Sequence, residues 1–121
     1  MYRFEKLRVY QHAMEFIKDI YSLTTYLPKE EKYGLADQLR RSSISIVLNI
    51  AEGTGGLGDV EFKAFLRNSL KSLYETVAGL KILQMLYKKD ISKQLEYCII
   101  IGKELNALIN SLTKIYSKDR K

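Results

Sequence analysis

Tryptophan is absent from this chain, and proline, cysteine and histidine are nearly so, with one Pro, one Cys and one His. Each scarcity removes a class of chemistry. A lone cysteine forms no intrachain disulfide and cannot build a Cys-x-x-Cys or four-cysteine zinc site. A lone histidine, His12, excludes any centre that needs two imidazoles. A di-iron carboxylate bundle is among these, because it takes two Glu-x-x-His pairs. No Glu stands three residues before His12, and its place on the polar side of the first apolar pattern marks an ordinary surface residue. Cys98 falls on an apolar stripe, away from the exposed, electropositive setting of a reactive thiolate, and reads as a buried structural thiol. No Ser-His-Asp constellation assembles around one surface imidazole. Long apolar runs are missing too. The longest uncharged stretch rich in apolar residues is 42–51, far short of a membrane span. The opening Met1-Tyr2-Arg3-Phe4-Glu5-Lys6 lacks the apolar core of a signal peptide. The expectation is a cytoplasmic protein without membrane, metal or cofactor.

What is present suffices for a fold. The 121 residues are 46% hydrophobic and 28% charged, enough for one core and a soluble surface over a single domain, 1–121. The net charge is +6, from 20 basic and 14 acidic residues. That permits binding to nucleic acid or anionic lipid without establishing either.

Three breaks divide the chain: Leu27-Pro28-Lys29, a turn at 53–58 holding four of the seven glycines, and Lys88-Lys89-Asp90. Between them lie four segments with helical periodicity, about 7–26, 31–52, 60–87 and 91–117. In the first, Tyr10, Ala13, Ile17, Ile20, Thr24 and Leu27 follow at spacings of 3, 4, 3, 4 and 3, with Val9, Phe16 and Leu23 as a flanking stripe. In the second, Leu35, Leu39, Ile46 and Ile50 share a face, Ser42, Ser43 and Ser45 allow close approach, and Gly53 is placed as a C-cap. In the third, Asp59 is placed to cap the first turn, and Phe62, Leu66, Ser69, Leu73, Val77, Leu80, Leu83 and Tyr87 line the core side. In the fourth, Ile91, Leu95, Cys98, Gly102, Leu105, Ile109, Leu112 and Tyr116 repeat, flanked by Ile101, Leu108 and Ile115. Ile100 points away. No segment alternates with period two for long. The fold class is all-α: an antiparallel up-down-up-down four-helix bundle. Its first and last helices carry more apolar face than one seam needs, which predicts a homo-oligomer; a broad monomer core is the alternative.

The glycine turn has the flexibility of a phosphate loop but not its context. A helix precedes it where a strand is required, Gly-Lys-Ser/Thr is missing, and Asp59 places negative charge where phosphate would sit. It reads as an inter-helix turn. Arg41, Asn49, Glu52 and Glu75 interrupt the second and third segments. Folding these into a hairpin sets Arg41 within about a turn of Glu75, as a buried ion pair that fixes register. A carboxylate–amide catalytic cluster is the competing reading, and it lacks a recognisable acid/base partner. Basic residues gather at the chain ends, which an antiparallel bundle brings to one pole: Arg3, Lys6, Arg8, Lys114, Lys118, Arg120 and Lys121, diluted by Glu5 and Asp119. These are the candidate nucleic-acid contacts, and repetition around a ring would multiply them. The other pole carries Lys29, Lys32, Lys88, Lys89 and Lys93 with Glu30, Glu31 and Asp90. Aromatics lie mostly at core spacing and form no evident stacking platform.

Several blocks resemble the four-helix-bundle proteins encoded by intervening sequences in bacterial 23S rRNA genes. They are Phe4-Glu5-Lys6-Leu7 with Val9-Tyr10-Gln11 and Ala13; Leu27-Pro28 then Glu31; Tyr33-Gly34-Leu35; and Gln38-Leu39-Arg40-Arg41-Ser42-Ser43. The most distinctive is Ser45-Ile46-Val47-Leu48-Asn49-Ile50-Ala51-Glu52-Gly53, continued by Phe62, Phe65-Leu66, Ser72-Leu73 and Glu75. The resemblance spans nearly the whole chain. It implies a left-handed bundle assembled as a ring, typically a homopentamer. It also implies kinship with the accessory variability protein of diversity-generating retroelements, a basic ring thought to engage nucleic acid and a reverse transcriptase. It implies no established enzymatic activity. Gly56 stands where many relatives carry a basic residue, and Lys71 where they often carry glycine. The expectation is a non-enzymatic, ring-forming bundle that binds RNA or DNA through basic surface. An oligomeric scaffold for a protein partner is the alternative, and an enzyme built on Asn49, Glu52 and Glu75 ranks third.

Overall fold

The repeats of three and four become four helices in a computed structural model that describes the backbone of residues 1–119 and the side chains of residues 1–113. They are α1 (Arg8–Thr25), α2 (Leu35–Thr54), α3 (Asp59–Tyr87) and α4 (Ser92–Asp119), with short 3-10 turns at Arg3–Lys6 and Lys29–Glu31. The described residues include no strand. α1 ends where Thr24 and Thr25 turn their hydroxyls back onto the Ile20 and Tyr21 carbonyls, both at 2.7 Å, just ahead of Pro28. α2 starts at Leu35, the first residue of its apolar face, rather than near 31. The backbone at Gly34 is non-helical (φ −106°, ψ −110°), and the Glu31 carboxylate accepts the Leu35 N–H at 3.2 Å.

At the α2–α3 and α1–α4 seams residue numbers rise on one helix as they fall on the other, so the paired helices are antiparallel. Across α2–α3, Ser42 meets Thr76 at 2.7 Å, Ser45 meets Ser72 at 2.9 Å, and Ser69 donates to the Ile46 carbonyl at 2.6 Å. Across α1–α4, His12 meets Glu104 at 2.7 Å and Asp19 meets Lys93 at 3.4 Å. The core runs the length of the bundle, with Phe16, Ile20, Leu39, Ile46, Ile50, Leu66, Leu80, Leu83, Ile101 and Leu105 essentially inaccessible. Burying one such side chain contributes about 1.5–3 kcal/mol.

The packing corrects four details. Val9, Phe16 and Ile101 are core residues rather than flank, because each helix packs on two neighbours and its buried arc is wide. On α3, Thr76 is buried and Val77 only partly so; the Thr76 hydroxyl is partnered by Ser42 and by the Ser72 carbonyl at 2.8 Å. Gly53 is not a C-cap. It lies inside α2, buried, and Gly55 takes the C-cap. A Cβ at Gly53 would stand 2.8 Å from the Phe62 ring and 2.9 Å from Phe65 Cβ, so its role is to let α3 approach. Asp59 makes no cap bond. It is the first residue of α3, and Gly58, at φ +141°, occupies the N-cap.

Candidate nucleic-acid interface

The candidate contacts at the pole of the chain's start are built from the first turn upward, with the α2–α3 turn and its Asp59 and Glu61 at the same end. Glu5 ties the first turn down, its carboxylate accepting the Tyr2 N–H at 3.0 Å and its carbonyl accepting Gln11 Nε2 at 3.1 Å. Tyr2 stacks on Phe4 at 5.6 Å, and Phe4 meets Tyr10 at 5.1 Å. On this base Arg3, Lys6 and Arg8 are exposed. Arg3 rests 5.3 Å over the Phe62 ring, a contact that orients the guanidinium without neutralising it. Arg8 opens α1, where unpaired N–H groups add partial positive charge. Leu7, Arg8 and Val9 face Glu104, Leu108 and Ser111 across a shallow hollow, which sets the start of α1 beside the later turns of α4. The side chains of Lys114 and Lys118, and Arg120 and Lys121 altogether, lie outside the described residues.

The polar residues of α2 and α3 do not form one cluster. Asn49 donates to the Ser45 carbonyl at 2.9 Å and to Ser45 Oγ at 3.1 Å, joining the seam hydroxyls. Arg41 and Glu75 are both exposed and share a polar hollow with Asp37, Gln38 and Ser45. No buried ion pair joins them: they stand at the same level but on the outward arcs of their helices. Glu52 is exposed near the end of α2. Asn49 and Glu52 do not line that hollow.

His12 is more than a surface residue. Half-buried, it crosslinks α1 to α4 through Glu104. Cys98 is buried, and loss of solvation pushes its thiol up to about 12, the opposite of a reactive thiolate. At the glycine turn, Glu61 accepts the Leu57 N–H at 3.2 Å, and its carboxylate fills the space beside Gly56. A carboxylate thus occupies the place a phosphate loop keeps for its ligand. Among the described residues no group of His, Cys, Asp and Glu is arranged to hold a metal ion, and no helix is long and apolar enough to cross a membrane.

At the opposite pole, Tyr87 donates to Glu31 at 2.5 Å, clasping the end of α3 to the α1–α2 connection. That bond, and the Leu35 N–H, hold the Glu31 carboxyl below its ordinary range; the same bond raises the Tyr87 phenol. Asp90 is lowered by the Ser92 hydroxyl and N–H it accepts. Sequence reasoning noted the lysines here but not Arg40, which reaches back from α2 to donate to Thr24 Oγ1 at 2.9 Å. Nor did it find the exposed rings of Tyr26 and Tyr33. Several aromatics fall outside the helical repeats, Tyr21, Phe65, Tyr74 and Tyr97 among them, so nothing in the spacing singled out these two.

A family model described as 23S rRNA-intervening sequence protein matches residues 5–117. A solved structure from Bacteroides thetaiotaomicron, a protein of unknown function from the S23 ribosomal protein family, superposes with a TM-score of 0.74 at 26% identity. The match covers 84% of this chain and 95% of that one. No curated protein matches the chain.

Proposed function

This chain belongs to the 23S rRNA-intervening sequence protein family, and from that premise we propose that it is a non-enzymatic, self-associating bundle that binds RNA or DNA through phosphate contacts. The observation that carries this reading is a surplus of six positive charges expressed as exposed cations, Arg3, Lys6 and Arg8 among them. Of the residues an enzyme would be built on, Asn49 is hydrogen-bonded to Ser45 in the α2–α3 seam, while Glu52 and Glu75 are exposed and do not gather with it around one hollow. Lys and Arg neutralise phosphates without reading bases, so binding is indifferent to sequence and falls steeply with salt. A ring, five-membered by family analogy, would repeat the contacts around one rim. Exposed apolar residues on the last helix, Ile99 and Ile100, and on the middle helices, Leu48 of α2 and Ile82 of α3, are what self-association would cover, whereas the stripe of α1 is largely buried in the core.

Fluorescence anisotropy with labelled oligonucleotides of unrelated sequence, across a salt series, tests this. Affinities that agree between sequences and fall log-linearly with salt support it; an affinity flat from low to moderate salt rejects it. One feature favours the second reading, a scaffold for a protein partner such as a reverse transcriptase. Between α3 and α4 runs an apolar groove of about 370 Å³, floored by Leu73, Val77 and Leu95 and edged by Tyr74 and Ile99.

A further inference from the structure

The geometry points to a second nucleic-acid site, specific for single strands, in the hollow where α1 ends and α2 begins; it rests on the phosphate-binding reading above. The hollow measures about 260 Å³ and is lined by Lys29, Lys32 and Arg40 together with Thr24 and Thr25. That volume is below the roughly 300 Å³ at which pockets for whole small-molecule ligands begin, and it suits a phosphate with part of its sugar. Three cations converge there and no carboxylate lines it. Glu31, in the same connection, is engaged elsewhere: it accepts from Tyr87 and from the Leu35 N–H. The Thr24 hydroxyl accepts from Arg40 Nε and so fixes the guanidinium at the wall.

Two of these cations lead directly to aromatic faces. Arg40 lies 4.4 Å over the Tyr21 ring and Lys32 lies 5.4 Å from the Tyr33 ring. Tyr33 is 85% exposed, and Tyr26, beside Lys89 at 5.3 Å, is 73% exposed. Tyrosines this open leave most of their surface in water, and a base stacked on them would cover part of it. Lys88, at the same pole, adopts a left-handed backbone (φ 52°), a conformation that favours glycine or asparagine over lysine. A lysine held there extends the basic surface. Cations flanked by open aromatic rings match an unpaired strand, whose phosphates seat in the hollow while its bases lie on the rings. A duplex keeps its base faces hidden and gains only the phosphate part.

The test uses the full chain and a fluorescein-labelled oligouridylate, with an RNA duplex of equal length as comparison. Lys29→Ala/Lys32→Ala is expected to weaken oligouridylate binding about tenfold at low salt and to flatten the log–log salt slope by about 1.4, two contacts at about 0.7 each. Tyr33→Ala, at an exposed position that leaves the core intact, is expected to weaken it at least about fivefold with the slope unchanged, and to leave duplex binding as it was. Loss of affinity in Arg3→Ala/Lys6→Ala/Arg8→Ala, with both loop variants at wild-type affinity, would overturn this site while leaving the general reading standing. Lysine dependence without tyrosine dependence would overturn the single-strand assignment. A wild-type chain that binds neither probe at low salt would overturn the phosphate-binding reading, and this site with it.

Discussion

Tyr87 and Glu31 show how one hydrogen bond at 2.5 Å couples two titrations of opposite sense. The bond favours the Glu31 carboxylate and the neutral Tyr87 phenol. Glu31 is lowered in the fold, so its contribution is present above its ordinary value of 4.5 and is lost as pH falls through the lower folded value. Tyr87 is raised, so its contribution is present below its ordinary value of 10.0 and is lost as pH rises through the higher folded value. Tyr87→Phe removes the phenol and the bond together. The stability gap between wild type and Tyr87→Phe, read from urea midpoints, is expected to be widest between those two ordinary values and to narrow on either side. A gap that persists unchanged well below 4.5 would show that the ring's packing, not the clasp, is what matters.

At the scale of elements, the α2–α3 seam is close because a small residue stands on at least one side of it along its length. Gly53 faces Phe62 and Phe65, and Gly79 faces Leu39, where a Cβ would stand 2.7 Å from Cδ2. Gly53→Ala gains about 1 kcal/mol of helix propensity, but its methyl meets a ring and a Cβ anchored to the α3 backbone. Overpacking of this kind costs about 1–3 kcal/mol, so a net loss is expected, visible as a lower urea midpoint with an unchanged slope. A variant more stable than wild type would mean that α3 yields easily. Gly53 also marks where sequence reading ends. Apolar spacing predicts four helices and most of their buried residues, since three-and-four spacing is a property of the helix itself. It does not separate a glycine that ends a helix from one that admits a neighbour, because both follow an apolar stretch. It mistakes Val77 for Thr76 because a threonine hydroxyl becomes a core group only when Ser42 and Ser72 supply its partners. Arg41 and Glu75 share a level on the hairpin, yet their outward arcs become evident only once the helices are rotated into place. The family's blocks are legible as residues, but Arg40 joins Lys29 and Lys32 only through the return of α2 against α1.

For the whole molecule, the two proposed activities draw on forces that respond to salt in opposite ways. Phosphate contacts weaken as added ions compete, by about 0.7 in log affinity per decade of salt for each single-strand contact. Association through exposed apolar residues such as Leu48, Ile82 and Ile99 is not screened, and the repulsion between copies carrying a net charge of +6 is relieved. Raising salt should therefore separate the activities. Light scattering is expected to show a mass well above the 14.0 kDa of one chain, retained or increased as salt rises, while a bound oligonucleotide is released over the same range. Leu48→Asp places a carboxylate on α2 at a position 52% exposed, so the bundle tolerates it; if that surface is buried between copies, the variant's mass falls. A complex that dissociates in step with nucleic-acid release would mean that the copies are held together by the strand they share rather than by their own apolar surface.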